Sequence, residues 1–385
     1  MTDGATTTPE PCMGPNEAAD GQPRPGQRVL VAMSGGVDSS VAALLLTRAG
    51  LEAHGTTMKL FDAQQACLAS DKGCCSARDI EDARQVCLDL GIPHYAFNFT
   101  RTFEREVIDR FCQGYLAGRT PNPCVDCNRY VKFEALQERR AQLSFDYLAT
   151  GHYARRALNP RTGRFELRRG LDPDKDQSYV LFHLTQDNLR HMLFPLGDLT
   201  KADVRDLARQ QGFGTAEKRE SQDICFVPTG SYADFIERRA NVAFPPGPIV
   251  NRAGRVLGTH RGLPHYTVGQ RKGIGVAAEA PLFVYEKRIA DNALVVGFDE
   301  DARCTSILVR EANFVALPCL EQPMGLEVKT HYRQTAVPAL VSQLNADTLR
   351  IDFEQPQRAC APGQFAVAYQ GDAVVCGGTI ERVLS

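Results

Sequence analysis

The sequence predicts an α/β protein: a doubly wound parallel sheet, then a small α+β domain, then a C-terminal β-barrel. Three observations point there. Short apolar runs alternate with helical patterns from residue 28 to about residue 227, as in successive βαβ units. After Cys225 that alternation stops, and Pro- and Gly-rich sequence with short strands runs to about residue 303. Residues 304–385 hold only short strand-like runs separated by turn residues, the spacing of a small barrel. The expected divisions are therefore a tail at 1–27, a nucleotide-type domain at 28–227, a central domain at 228–303 and the barrel at 304–385.

Composition bounds the function. At 385 residues the chain can hold two or three cores, since single cores rarely grow beyond about 250–300 residues. No run approaches 18 apolar residues, so no transmembrane helix is expected. The first 27 residues are rich in Pro, Gly, Thr and acids, with Arg24 their only basic residue. They read as a disordered tail, and neither a signal nor a transit peptide is indicated. Thirteen cysteines without a leader imply a reducing, cytoplasmic setting and not a disulfide framework. Cys87, Cys112, Cys304, Cys319 and Cys376 sit among apolar neighbours and are assigned to packing. With a net charge of −2, a nucleic-acid partner would have to be held by local patches.

The elements follow in order. In RVLVAMSGGVDSSVAALLL (residues 28–46), Arg28 to Met33 reads as a short buried strand and Val41 to Leu46 as a run of helix formers. The turn between them is Ser34, Gly35, Gly36, Val37, Asp38, Ser39. A strand, a glycine pair and a helix N-terminus make an anion site, because backbone N–H groups point outward and glycines let phosphate oxygens approach. No G-x-x-x-x-G-K-[ST] is present, so the phosphate-reaching lysine of P-loop enzymes is missing, as is the third glycine of a dinucleotide fingerprint. Asp38 reads equally as a helix cap or as a ligand for a cation. The next strand, Ala53 to Leu60, contains Met58; further strands are expected at 92–97 and 145–150, with helices at 78–90 and 102–117. In the second helix Phe103, Val107, Phe111 and Tyr115 recur every four residues, giving one buried stripe. Gly151 and His152 follow a strand directly, where doubly wound sheets bind their ligands.

Two features remain open at this level. TPNPCVDCNRY (residues 120–130) sets Cys124 and Cys127 in a C-x-x-C. The pair suits a disulfide, half a zinc site, part of an iron–sulfur site or a reactive thiol beside a substrate. Residues 155–169 hold six arginines against one glutamate, a strip read as a partner for a phosphate backbone. Cys67, Cys74 and Cys75 are expected in a mobile loop.

The S-G-G-x-D-S string after a strand resembles the PP-loop of the ATP pyrophosphatase family, which grips the pyrophosphate end of ATP so that a substrate oxygen becomes adenylated. Four more stretches narrow the resemblance: GHYARRALNPRTGRFELRRGLDPDKDQSYVLF (151–182), KRESQDICF (218–226), YTVGQRKGIG (266–275) and KTHYRQTAVPA (329–339). Together with TPNPCVDCN they look like the tRNA-specific 2-thiouridylase family, from about residue 28 to the C-terminus.

That resemblance implies ATP, with Mg²⁺, at Ala32, Met33, Ser34, Gly35, Gly36, Val37, Asp38 and Ser39, with Met58 and Gly151 also on the nucleotide. It implies tRNA contacts at His152, Lys175, Asp176, Gln177, His331, Tyr332 and Gln364, and the target base against Asn122, Pro123 and Cys124. Cys127 would be the nucleophile and Cys225 the persulfide carrier, the two closing a disulfide during turnover. A second version places a [4Fe–4S] cluster on Cys124, Cys127 and Cys225. The implied reaction is ATP-dependent adenylation of uracil O2 at the wobble uridine of tRNAs for Lys, Glu and Gln, then sulfur transfer. Implied partners are the tRNA anticodon arm and a sulfur-relay protein or cysteine desulfurase. Some members carry Asp where this chain has Cys124, and Arg where it has His331. A PP-loop ligase for a small metabolite and a non-catalytic RNA-binding or iron–sulfur carrier protein are the rival readings.

Overall fold

The computed structural model describes residues 21–61, 77–218, 224–227, 231–301, 303–358 and 360–384. The expected tail up to residue 20 and the loop cysteines Cys67, Cys74 and Cys75 lie outside the described residues. Residues 21–27 rest on the first domain, with Gly26 donating to the Gly50 carbonyl and Arg156 to that of Gly21.

The first domain is built on a parallel sheet. Its strands are β1 (Arg28–Ala32), β2 (Glu52–Lys59), β3 (His94–Asn98) and β4 (Tyr147–Thr150). Two short strands, β5 (Ala154–Leu158) and β6 (Phe165–Arg169), then precede β7 (Met192–Leu193). The sheet order is β3-β2-β1-β4-β7, all parallel, so β1 is central and the winding reverses on either side of it. Such a reversal opens a crevice at the carboxyl ends of the strands, here between β1 and β4. Helix α1 (Val37–Arg48) leaves β1 and is buried nearly all round, as its run of Val, Ala and Leu requires. Helix α2 (Ala77–Leu90) packs beside it.

Helix α3 covers the other face as Thr100–Phe103, Glu104–Asp109 and Arg110–Leu116, with π-helical turns in its middle segment. The stripe Phe103, Val107, Phe111 and Tyr115 is buried in one core. A four-residue repeat drifts around an α-helix of 3.6 residues per turn, and the wider turns offset that drift. Helix α4 begins with the C-x-x-C and runs as Pro123–Asp126, Cys127–Ala135 and Leu136–Gln142, again π-helical in its middle. Short α5 (Gln186–Arg190) and then α6 (Lys201–Gln210) complete the domain.

The central domain carries α7 (Tyr232–Ala240) and strands β8 (Gly247–Val250), β9 (Val256–His260), β10 (Phe283–Arg288) and β11 (Ala293–Gly297), in the order β10-β11-β8-β9. The last domain holds β12 (Arg303–Phe314), β13 (Met324–Lys329), β14 (Val337–Asn345), β15 (Thr348–Arg358), β16 (Phe365–Gln370) and β17 (Ala373–Leu384). Pairing of β12 with both β15 and β17 closes these six strands into a barrel. The expected α/β, α+β and barrel architecture is the one observed.

Two expectations need correction. The arginine-rich strip is the β5–β6 hairpin, and it extends the barrel's sheet through β17. Most of its guanidinium groups serve the fold. Arg155 bonds the Arg169 carbonyl and Asp372, Arg156 the carbonyls of Leu189 and Arg190, and Arg164 those of Phe314 and Val315. Arg169 lies over the Tyr369 ring, 4.3 Å from its centroid. Charge density along the sequence could not distinguish an interdomain clasp from an RNA-facing patch. Second, Cys319 is exposed, whereas Cys87, Cys112, Cys304 and Cys376 are buried as expected. Desolvation pushes the Cys87 and Cys376 thiols up to about 12 and Cys112 up to about 11, which keeps them as inert packing groups.

Candidate nucleotide and thiol site

The loop after β1 is shaped by its glycines and serines. Gly35 has φ +68°, and a Cβ there would run into the Asp79 carbonyl at the start of α2. Gly36 is the extended N-cap of α1, and its carbonyl accepts from the hydroxyls of Ser39 (3.1 Å) and Ser40 (2.9 Å). Ser39 Oγ also accepts from the Ser34 amide at 3.1 Å. The turn is thus pinned from within, and the first amides of α1 form the open end of a helix in the sheet crevice.

The other wall is the end of β4. An added Cβ at Gly151 would lie 2.8 Å from Asp38 C and from Ser39 N, so the strand end and the loop touch backbone to backbone. His152 is buried, 2.7 Å from Thr150 Oγ1 through Nδ1. Burial and then the charge of Lys132 hold its imidazole well below the usual range, so it is neutral near pH 7. Met33 and Met58 are buried in the two cores that flank the sheet.

Asp38 caps nothing: α1 has no side-chain cap. Its carboxylate accepts from Tyr153 Oη at 2.8 Å and from Lys201 Nζ at 2.7 and 2.9 Å. Lys201 is set at the first turn of α6 by a capping box between Thr200 and Asp203. On the opposite side Lys218 Nζ donates to the Gly35 carbonyl (2.9 Å) and to Asp79 and Asp82 (2.6 Å each). Sequence reasoning missed Lys201, Lys218 and Tyr153. The capping box T-K-A-D was a legible helix start, but no local signal says which loop that helix faces.

The C-x-x-C opens α4. Asn122 is the N-cap and Pro123 the first helical residue, and Asn122 Oδ1 accepts from the Cys124 amide at 3.2 Å. This start puts Cys124, exposed, and Cys127, half-buried, one turn apart on the helix. Between them Asp126 is pushed up to about 6 by burial, against the pull of Arg110 and Arg129. Cys225 is half-buried and packs, as Cys127 does, against the core that contains Met58, Val131 and Phe226. Among the described residues no cysteine is in a disulfide.

The remaining expected contacts fall in three places. Asp176 is buried, its carboxylate accepting from the amides of Gly170 and Ser178 and from Ser178 Oγ, while Lys175 is half-exposed. Gln177 Oε1 accepts from the Tyr153 amide at 2.9 Å. Tyr332 lies 6.2 Å from Tyr179 ring to ring, with Lys329 near both rings. Desolvation, reinforced by Lys329, lowers the His331 imidazole, so it too is neutral near pH 7. Gln364 Nε2 donates to the Thr120 carbonyl at 2.7 Å, and the Thr120 amide to Pro362 O at 2.8 Å. The barrel turn therefore holds the segment that leads into Asn122 and Cys124.

A phosphate-type loop at a sheet crevice, in a chain that also carries half-buried thiols and a C-terminal barrel, is the layout of a nucleotide-binding transferase of the PP-loop type. Residues 27–229 match the family described as tRNA methyl transferase HUP domain, residues 233–298 its PRC-barrel domain, and residues 304–380 the aminomethyltransferase beta-barrel domain. The chain is 48% identical over 354 residues to the tRNA-specific 2-thiouridylase MnmA of Moorella thermoacetica, covering 92% of this chain and 99% of that protein. It is 46% identical over 359 residues to the MnmA of Carboxydothermus hydrogenoformans, covering 93% and 98%. A 4-thiouridine synthetase–RNA complex with bound ATP aligns at TM-score 0.35 and 15% identity over 56% of this chain and 50% of that one, too partial to bear on the argument. The chain belongs to the tRNA-specific 2-thiouridylase family, and it is a tRNA sulfurtransferase.

Proposed function

We propose that the chain adenylates O2 of the wobble uridine in tRNAs for Lys, Glu and Gln and then exchanges the adenylate for sulfur carried on Cys225. The observation that carries this reading is the thiol pair: Cys127 and Cys225 are both half-buried and pack on one core, which also contains Met58. A uracil O2 is a poor leaving group. Its attack on the α-phosphorus of ATP expels pyrophosphate and leaves AMP on O2, and the α1 amides offset the charge that develops on the phosphates. The terminal sulfur of a Cys225 persulfide supplies the nucleophile. Attack of the Cys127 thiolate on the Cys225 sulfur forms a Cys127–Cys225 disulfide and releases hydrosulfide. Hydrosulfide adds at C2 and AMP leaves, giving 2-thiouridine, and an external two-electron thiol reductant restores both cysteines. The external persulfide source is a sulfur-relay protein or a cysteine desulfurase.

Mg²⁺ would neutralise departing pyrophosphate. Asp38 is already bonded to Lys201 and Tyr153, and Asp79 and Asp82 to Lys218, so no step is routed through a metal at these carboxylates. Contacts of the tRNA would come from Lys175, His331, Tyr332 and the barrel turn at Gln364.

Cys127→Ser and Cys225→Ser should each abolish 2-thiouridine formation, read by nucleoside mass spectrometry, while leaving tRNA binding nearly intact. Thiolation by either variant at the wild-type rate would overturn the thiol mechanism. Anaerobically purified protein that is brown, contains iron and loses both in Cys124→Ala would replace the persulfide route by the cluster route.

A further inference from the structure

We infer that Lys201 is a positioning residue for the nucleotide: it neutralises Asp38 and so keeps the N-terminus of α1 open to phosphates. The inference rests on ATP binding at the loop after β1, as proposed above.

The need for such a residue lies in the loop sequence. Asp38 stands in the first turn of α1, the turn whose free amides make the anion site. The helix dipole favours a carboxylate there, and for the same reason that carboxylate competes with a phosphate for the positive end of the helix. It also repels the phosphate directly, since both are anions at one helical turn. From Ser34 to Ser40 the loop has no lysine or arginine of its own to offset this charge.

The fold brings the offset from 163 positions away. Lys201 Nζ donates to both carboxylate oxygens of Asp38, at 2.7 and 2.9 Å, and Tyr153 Oη donates to Oδ1 at 2.8 Å. Among the described residues Lys201 is the only ion-pair partner of Asp38. Its backbone is tethered on two sides. Thr200 and Asp203 form the capping box of α6, and the Lys201 amide donates to Asp172 Oδ2 at 2.9 Å. The ammonium also lies 5.8 Å from the centroid of the Tyr153 ring. The Lys201 side chain is 12% exposed and that of Asp38 30%, so solvent screens the pair only in part. On the opposite side of the loop, Lys218 is engaged by Asp79 and Asp82.

The physical consequence follows from charge. Without Lys201, a bare carboxylate faces an incoming polyphosphate. Without both residues, the repulsion disappears along with the cation that cancelled it. The effect of losing Lys201 therefore depends on the charge of Asp38. A lysine that bonded the phosphates directly would show no such dependence.

The test is the affinity for α,β-methylene-ATP, measured by calorimetry in EDTA and again with Mg²⁺. Lys201→Met should weaken binding in EDTA by roughly 10- to 100-fold at low salt, and by less at high salt, where the repulsion is screened. Lys201→Arg keeps the charge and should keep most of the affinity. The double variant with Lys201→Met and Asp38→Asn should return to near wild-type affinity. Thermal melts check that each variant folds; if Lys201→Met does not, Lys201→Gln, which keeps a donor without the charge, is read in its place with the same expectation. Wild-type affinity in the lysine variant overturns the inference. So does a loss that Asp38→Asn leaves unrepaired, because Lys201 would then act on the nucleotide itself. A wild type that binds the analogue only with Mg²⁺ also overturns it, since a metal and not Lys201 would then balance Asp38. A wild type that binds in neither condition refutes the ATP reading instead.

Discussion

Gly151→Ala tests the contact on which the nucleotide crevice depends. The added methyl would sit 2.8 Å from Asp38 C and Ser39 N and 3.1 Å from Asp38 Cβ. Two of these three atoms are backbone, so no rotamer change relieves the clash. To reach an ordinary separation of about 3.4 Å or more, the β4 end and the start of α1 must part by roughly 0.6 Å, and overpacking of this kind costs about 1–3 kcal/mol. The loop that must move is the one proposed to hold the phosphates of ATP. If the strain is relieved there, ATP affinity falls by roughly 5- to 150-fold, since each 1.4 kcal/mol is a factor of ten. Calorimetric titration with α,β-methylene-ATP measures the effect, and a thermal melt shows whether the strain is global instead. A variant that binds the analogue within twofold of wild type and melts at the same temperature would show that the strand end and the loop are not in tight contact.

Two more predictions follow. Lys287 is buried, and desolvation pulls its ammonium down to about 8 from 10.5, although it donates to the Arg119 carbonyl at 3.1 Å. The folded chain binds fewer protons than the unfolded one between those values, so stability rises with pH there, and below pH 8 the buried charge costs about 3 kcal/mol. Lys287→Met should therefore stabilise the protein in urea at pH 7, with a smaller gain at pH 10; destabilisation at pH 7 would contradict this sign. Gln364→Ala removes the bond to the Thr120 carbonyl, a loss of about 1 kcal/mol that loosens the approach to Cys124. Thiolation should show a raised KM for tRNA with little change in melting temperature. An unchanged KM would mean the barrel turn does not set this segment.

Much of the site was legible because it is local. The strand, glycine turn and helix after Arg28 are encoded by neighbours within twenty positions, and the structure forms them where the pattern put them. Asn122-Pro123 announces the start of α4 for the same reason. The roles of Asp38 and of the arginine strip were not legible. Asp38 carried two local readings, and its actual partner Lys201 is 163 positions away. Arg155 and Arg164 looked like a surface patch until Asp372 and Val315 arrived from the barrel.

The sequence by itself determined the order of domains, the phosphate loop and the presence of thiols at 124, 127 and 225. Backbone propensity, glycine and hydrophobic period act over a few residues and need no knowledge of the rest of the chain. Only the tertiary structure decided that Lys201 and Lys218 flank the loop, that the β5–β6 hairpin completes the barrel's sheet and that a barrel turn grips Thr120. Those pairings join groups more than a hundred positions apart. They exist because packing brings buried charges and backbone carbonyls together and leaves them costly to strand without partners, a constraint no local pattern records.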